Sequence, residues 1–201
     1  FNHGKQNFGW PREWGVEFIP GGPPLRKNPE PSGGASLPTV TTDTLETIGN
    51  QVWMVENLKA THFADGTPIN LVGKGDWYGY PFAAYGDYLE NPVWSASYGR
   101  LYNWAAVMDP KGLAPEGWLI PNTGATDEFG FAALPGGHRG DGGHEGQMQT
   151  AGYYWTSSIH YGEVFEFDAY FRIFDYHRTE IFRGHIPKGT GISVRCIKES
   201  K

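Results

Sequence analysis

The stretch EVFEFDAYFRIF, residues 163–174, decides how the chain is read. Its odd positions Phe165, Phe167, Ala169, Phe171 and Ile173 form an apolar row, while Glu166, Asp168, Tyr170 and Arg172 occupy even positions. Alternation with a period of two is the pattern of a β-strand with one buried face and one wet face. The charges and the tyrosine of the wet row then need an explanation of their own. Working outward, further strands are expected at about 44–48 and 51–58 around a Gly49-Asn50 turn, at 117–121, and at about 152–159, 179–183 and 191–198.

Composition points the same way. The 201 residues include 29 Gly, 15 Pro, 8 Trp, 11 Tyr and 12 Phe against 3 Met, which favours turns and aromatic packing over long helices. In RLYNWAAVM, residues 100–108, Leu101, Trp104, Ala105 and Met108 recur at i, i+3, i+4 and i+7 before Asp109-Pro110. That spacing predicts one amphipathic helix, whereas residues 72–98 read as a long irregular segment. The expected fold is α+β, β-dominated and loop-rich, with Trp53, Trp104, Trp118 and Trp155 in its core.

The length suits one domain, from about residue 40 to the C-terminus, with an appended arm over residues 1–39. Residues 20–38, PGGPPLRKNPEPSGGASLP, sustain neither a helix nor a central strand and read as a linker. Before it, Phe8, Trp10, Trp14 and Phe18 make residues 1–19 too aromatic for a solvated tail. That segment is expected to pack on the domain or on a partner.

The balance of 16 Lys+Arg against 22 Asp+Glu gives a net charge of −6, and no basic run interrupts it. Nucleic acid and anionic membrane surfaces are therefore not the expected partners. No stretch approaches the ~20 apolar residues of a membrane span. The N-terminus FNHGKQNFGW lacks the layout of a signal peptide, so any export signal has already been removed. Cys196 is the single cysteine, which rules out an intramolecular disulfide. It shares the parity of Ile192 and Val194, as a buried apolar thiol would, and no sequence neighbour offers a base to activate it.

The loop GGHRGDGGHEG, residues 136–146, lacks the Gly-Lys-Ser/Thr ending of a phosphate loop. Asp141 and Glu145 could offer oxygens to calcium, although not at EF-hand spacing. A flexible surface loop without a cofactor is the other reading. His138, His144, His160, His177 and His185 include no His-x-x-x-His pair, and no cysteine pair accompanies them, so tetrahedral zinc is poorly supported. Glu166 and Asp168 would lie about 7 Å apart on one strand face. Glycosidase chemistry would further need a cleft between them.

The ordered segments IGNQVWMVENL (48–58), YGRLYNWAAVMDP (98–110), APEGWLIP (114–121), GFAALPGG (130–137), YYWTSS (153–158) and GISVRCIK (191–198) resemble the Fibrobacter succinogenes major paralogous domain family, over about residues 40–198. The resemblance implies a C-type lectin-like fold related to the formylglycine-generating-enzyme type, a twisted antiparallel sheet with a flanking helix, in a protein that is extracellular or at the cell surface. Two departures stand out. Ala114 replaces the cysteine that family members usually pair with the one near the C-terminus. Pro121-Asn122 also runs almost directly into TGATDEFGF, where the family tends to carry a helix.

In lectin-like folds ligands are taken by long loops and the exposed face of the C-terminal strands. The corresponding face here comprises Glu166, Asp168, Tyr170, Arg172, Tyr176, His177, Arg178, Glu180, Arg183 and His185, with His138 and Arg139 in the adjacent loop. Tyrosine and arginine combine large contact area with polar tips. The expected partner is a surface protein or glycan, as for an adhesin or receptor-type module. The residue types of 153–185 are also compatible with diversification by a retroelement. The alternatives are a structural domain of a surface assembly, with residues 1–19 docked on a neighbour, and an enzyme of the formylglycine-generating type.

Overall fold

The computed structural model describes residues 45–122, 131–160, 167–178 and 180–199. The aromatic arm, its linker and Glu166 lie outside the described residues. Along the chain run β1 (Leu45–Ile48), β2 (Gln51–Met54), β3 (Asn70–Leu71), β4 (Ala84–Gly86), α1 (Pro92–Tyr98), β5 (Leu101–Tyr102), α2 (Trp104–Val107) and β6 (Trp118–Leu119). After them come β7 (Gly136–Arg139), β8 (Glu145–Met148), β9 (Ala151–Ile159), β10 (Asp168–Asp175), β11 (Phe182–Pro187) and β12 (Ile197–Lys198). The strands form three sheets, in the orders β1-β2-β12-β6, β11-β10-β9-β7-β8 and β3-β4-β5. The molecule is thus α+β and β-dominated, with short helices and long connections.

The helices differ from the expected one, for local reasons. The segment read as irregular contains α1, which starts where the Asn91 side chain accepts a bond from Val93 N (3.0 Å) and Pro92 takes the first helical position. Gly99 ends it at φ 79°, where a Cβ would sit 2.4 Å from Asn57 Cβ. The predicted helix over 101–108 shrinks to the single turn α2. Leu101 and Tyr102 are held instead in β5, with Tyr102 bonded to Ile192 in both directions (2.9 and 3.1 Å). Asn103 caps α2 by accepting from Ala106 N (3.1 Å), and Met108 emerges into solvent.

A main core surrounds Trp155, whose Nε1 donates to Tyr102 O (2.7 Å). Trp104, Phe171, Ile192, Val194 and Cys196 pack there too. A second cluster, Ile48, Trp53, Phe131, Ala133 and Tyr154, fills the space between the four-stranded and five-stranded sheets. Trp53, Trp104 and Trp155 are buried, as expected, whereas Trp118 is only partly covered.

The opening stretch obeys its alternation in part. Ala169, Phe171 and Ile173 face the main core. Phe167, expected beside them, is 73% exposed. The even row is not one wet face either: Arg172 is only 7% exposed, and Phe174 stacks on Phe131 at 4.7 Å. Both faces of β10 are therefore covered along its second half. The cover is completed by Arg195, whose guanidinium lies over Phe131 (4.5 Å) and Tyr154 (5.4 Å) and donates to Asn57 Oδ1 (2.9 Å). Burial lowers its pKa from the usual arginine value. Between Trp53, Arg172, Phe174 and Arg195 remains a cavity of about 20 Å³, room for about one water.

Candidate binding face

Strand pairing decides which of the expected residues meet. β10 pairs with β11 in regular antiparallel register, Tyr170 opposite His185 and Arg172 opposite Arg183. Its pairing with β9 is interrupted, because Ala169 opposes Ile159 while Phe171 opposes Trp155. Three residues of β9 thus face the single Tyr170, a bulge that bends the strand end. Thr156 Oγ1 stabilises it by donating to Tyr170 O (3.0 Å).

The bulge carries the end of β9 over the start of β10. His160 stacks on His185 with ring centres 4.2 Å apart and meets Tyr170 edge-on at 5.1 Å. Asp168 Oδ2 accepts from His185 Nδ1 (2.7 Å), which fixes the tautomer and plane of that ring. Asp168, Tyr170, His160 and His185 are all half-buried, and Phe167, next to Asp168 in sequence, is exposed. The result is a compact group of rings with a carboxylate at its edge. It can hold a flat or apolar ligand surface by ring contact and orient it by hydrogen bonds.

The other expected residues fall elsewhere. Tyr176, His177, Arg178 and Glu180 are exposed around the β10–β11 connection, at the far end of an eight-residue strand, roughly 20 Å from Asp168 at strand rise. Asp175 orders that turn by accepting from His177 N (2.8 Å). Arg183 is exposed on β11. Arg172 is removed from the face by its burial.

His138 and Arg139 do not form part of a flexible loop, since β7 and β8 pair as a hairpin. His138 is half-buried beside Tyr153 (4.8 Å), on the core side of the sheet. Burial, and then the nearby His144, hold its pKa below the ordinary histidine value. Arg139 is 0% exposed and cannot meet a ligand. Its guanidinium donates to Glu145 Oε1 (2.9 and 2.6 Å), Val72 O (2.9 Å) and Asp87 O (2.8 Å), over the ring of Trp77. Glu145, the candidate calcium oxygen, is committed to this pair and to Leu89 N (2.9 Å). Among the described residues no three His, Cys, Asp or Glu side chains converge on a metal position.

Sequence reasoning named His160 as a histidine without placing it on the face, because its neighbours are set by the bulge. The signal for Phe167 was misleading, since its parity is that of core residues.

The fold and this ring group define a β-dominated α+β domain with a compact candidate face on its C-terminal strands. Residues 47–125 match the model of the Fibrobacter succinogenes major domain. The match takes in the first three of the six ordered motifs. No curated protein and no solved structure matches the chain.

Proposed function

We propose that the protein is a non-catalytic binding module of the cell surface or extracellular space, and that its ligand, a protein or glycan, sits on the Asp168 end of β10 and β11. The observation that carries this reading is the group His160, Tyr170 and His185, in which the His160 ring contacts both of the others, beside an oriented carboxylate. Aromatic side chains with polar tips supply the anchors of binding surfaces. The resemblance to lectin-like folds, which bind through C-terminal strands and loops, supports the same location. An oxidising cysteine centre has little support, because Cys196 is wholly buried and its thiol is pushed up to about 12.

The test is a glycan and surface-protein array probed with the parent and two double variants. Tyr170→Ser/His185→Ala should lose at least tenfold in binding, while Tyr176→Ser/Arg178→Ser at the far end should keep it. The opposite pattern would move the site to the β10–β11 connection. Unchanged binding by both variants would remove the ligand from this sheet.

A further inference from the structure

Arg139 and Arg195 are 0% and 1% exposed, and the fold treats their charges differently. Arg139 has a carboxylate partner, Glu145, at 2.6 Å. Arg195 bonds only to oxygens that carry no charge. Asn57 Oδ1 accepts from its Nε (3.2 Å) and Nη2 (2.9 Å), and Phe131 O and Ala132 O accept from its Nη1. Those four bonds leave one of the five guanidinium N–H groups to give. Ring faces of Phe131 and Tyr154 cover the cation, and Glu46 and Glu56 act on it through space without forming an ion pair. Its charge is thus solvated by dipoles and rings but not neutralised, whereas a buried cation ordinarily has a counter-charge.

The same guanidinium lines the cavity of about 20 Å³. Trp53 lines it too, and its Nε1 is wholly buried with no hydrogen-bond partner among the described residues. An N–H in that position costs the full desolvation of the group unless an acceptor is supplied. Arg172 brings a second guanidinium to the wall, and among the described residues no Asp or Glu lines it. The hydroxyls of the wall are already committed as donors elsewhere, Thr156 to Tyr170 O (3.0 Å) and Tyr154 to Leu134 O (2.8 Å). The wall therefore offers donors and positive charge, which suits an anion; a water would seek acceptors as well. The volume takes one particle of about the size of a water. That admits a halide and excludes sulfate, phosphate and carboxylates, which have several heavy atoms.

We propose that one halide ion, chloride in ordinary solution, binds in this cavity, accepts from Trp53 Nε1 and supplies the counter-charge of Arg195. The site does not depend on what ligand the histidine and tyrosine group takes. Because the cavity exists only in the folded chain, chloride should stabilise the fold by linkage. Thermal unfolding of the full chain at constant ionic strength tests this, with chloride raised in place of gluconate. The midpoint should climb by about 3–5 °C for each tenfold rise in chloride once the site is filled. Trp53→Phe, which keeps a ring beside Phe131 but removes the N–H, should flatten that dependence. Crystals of the parent grown in bromide should show an anomalous peak within hydrogen-bond distance of Trp53 Nε1, a reading that does not require the variant to fold. A midpoint indifferent to chloride would overturn the proposal. So would an equal chloride dependence in Trp53→Phe, which puts the ion elsewhere on the protein. A bromide map with a water or a side-chain oxygen in the cavity would overturn it too.

Discussion

Arg139 bonds to three stretches of chain at once, and its removal should be felt through all of them. Its guanidinium reaches the loop before β4 through Val72 O, the turn after β4 through Asp87 O, and β8 through Glu145. The side chains of the ion pair are 0% and 4% exposed. Arg139→Met keeps the aliphatic stem but strands a buried carboxylate, which costs about 3–5 kcal/mol. Two carbonyls also lose a donor, at about 1 kcal/mol each or more where water cannot enter. Set against a typical total of about 5–15 kcal/mol, the variant should be marginal. Glu145→Leu should cost about as much, leaving the cation buried. The double variant Arg139→Met/Glu145→Leu should cost less than the sum of the two by about 2 kcal/mol or more, because no uncompensated charge remains. Urea unfolding of the four proteins closes this cycle. A single Arg139 variant within 1 kcal/mol of the parent, or strict additivity, would refute the buried-pair reasoning.

Arg172→Ser should destabilise by about 2–3 kcal/mol through lost packing beside Phe174 and Tyr154, whereas Tyr176→Ser on the exposed turn should stay within about 0.5 kcal/mol; thermal melts of the two single variants separate them. Trp155→Ala should cost about 3–5 kcal/mol by urea titration, since the residue is buried and its N–H bond to Tyr102 goes with it. Raising the pH should weaken the fold progressively above about 9. The buried Cys196 thiol and the Tyr102 and Tyr154 hydroxyls ionise at higher pH folded than unfolded, so their contribution is complete below the unfolded values and is lost as pH climbs toward the folded ones. The same burial predicts that a thiol reagent at pH 8 labels Cys196 only after urea is added.

The reach of sequence reasoning can be followed residue by residue. Period-two alternation, glycine turns and the tryptophan-rich segments were enough for the class, and they placed Trp53, Trp104 and Trp155 inside. The start of α1 was also legible in Asn91-Pro92, a capping residue followed by the residue that suits the first helical turn. Its stop at Gly99 was visible too. Both were hidden by the weight given to the glycines and tyrosines before them. The hairpin at 136–146 was obscured in the same way, because glycines that permit the close approach of β7 to β8 look like the glycines of a mobile loop.

The face of β10 was harder for a different reason. Alternation says which residues share a side; it does not say what covers that side. Cover for Arg172 and Phe174 comes from Phe131 and Arg195, which stand about 40 and 20 positions away in sequence. Arginine is the ambiguous residue in such a pattern. Its charge reads as exposure, yet its planar head can lie on aromatic rings and bond carbonyls, as Arg195 does over Phe131 and Tyr154. Arg139 repeats the arrangement over Trp77. Both guanidiniums occupy places where a polar-parity reading expects solvent. The open part of the face is then the part that arginine does not roof: the start of β10, where Asp168 and Tyr170 meet histidines from β11 and from the end of β9. That location follows from the bulge opposite Tyr170. A variant of β9 shortened by two residues between Thr156 and Ile159 should draw His160 away from His185 and break up the ring group, while Trp155 keeps its place in the core.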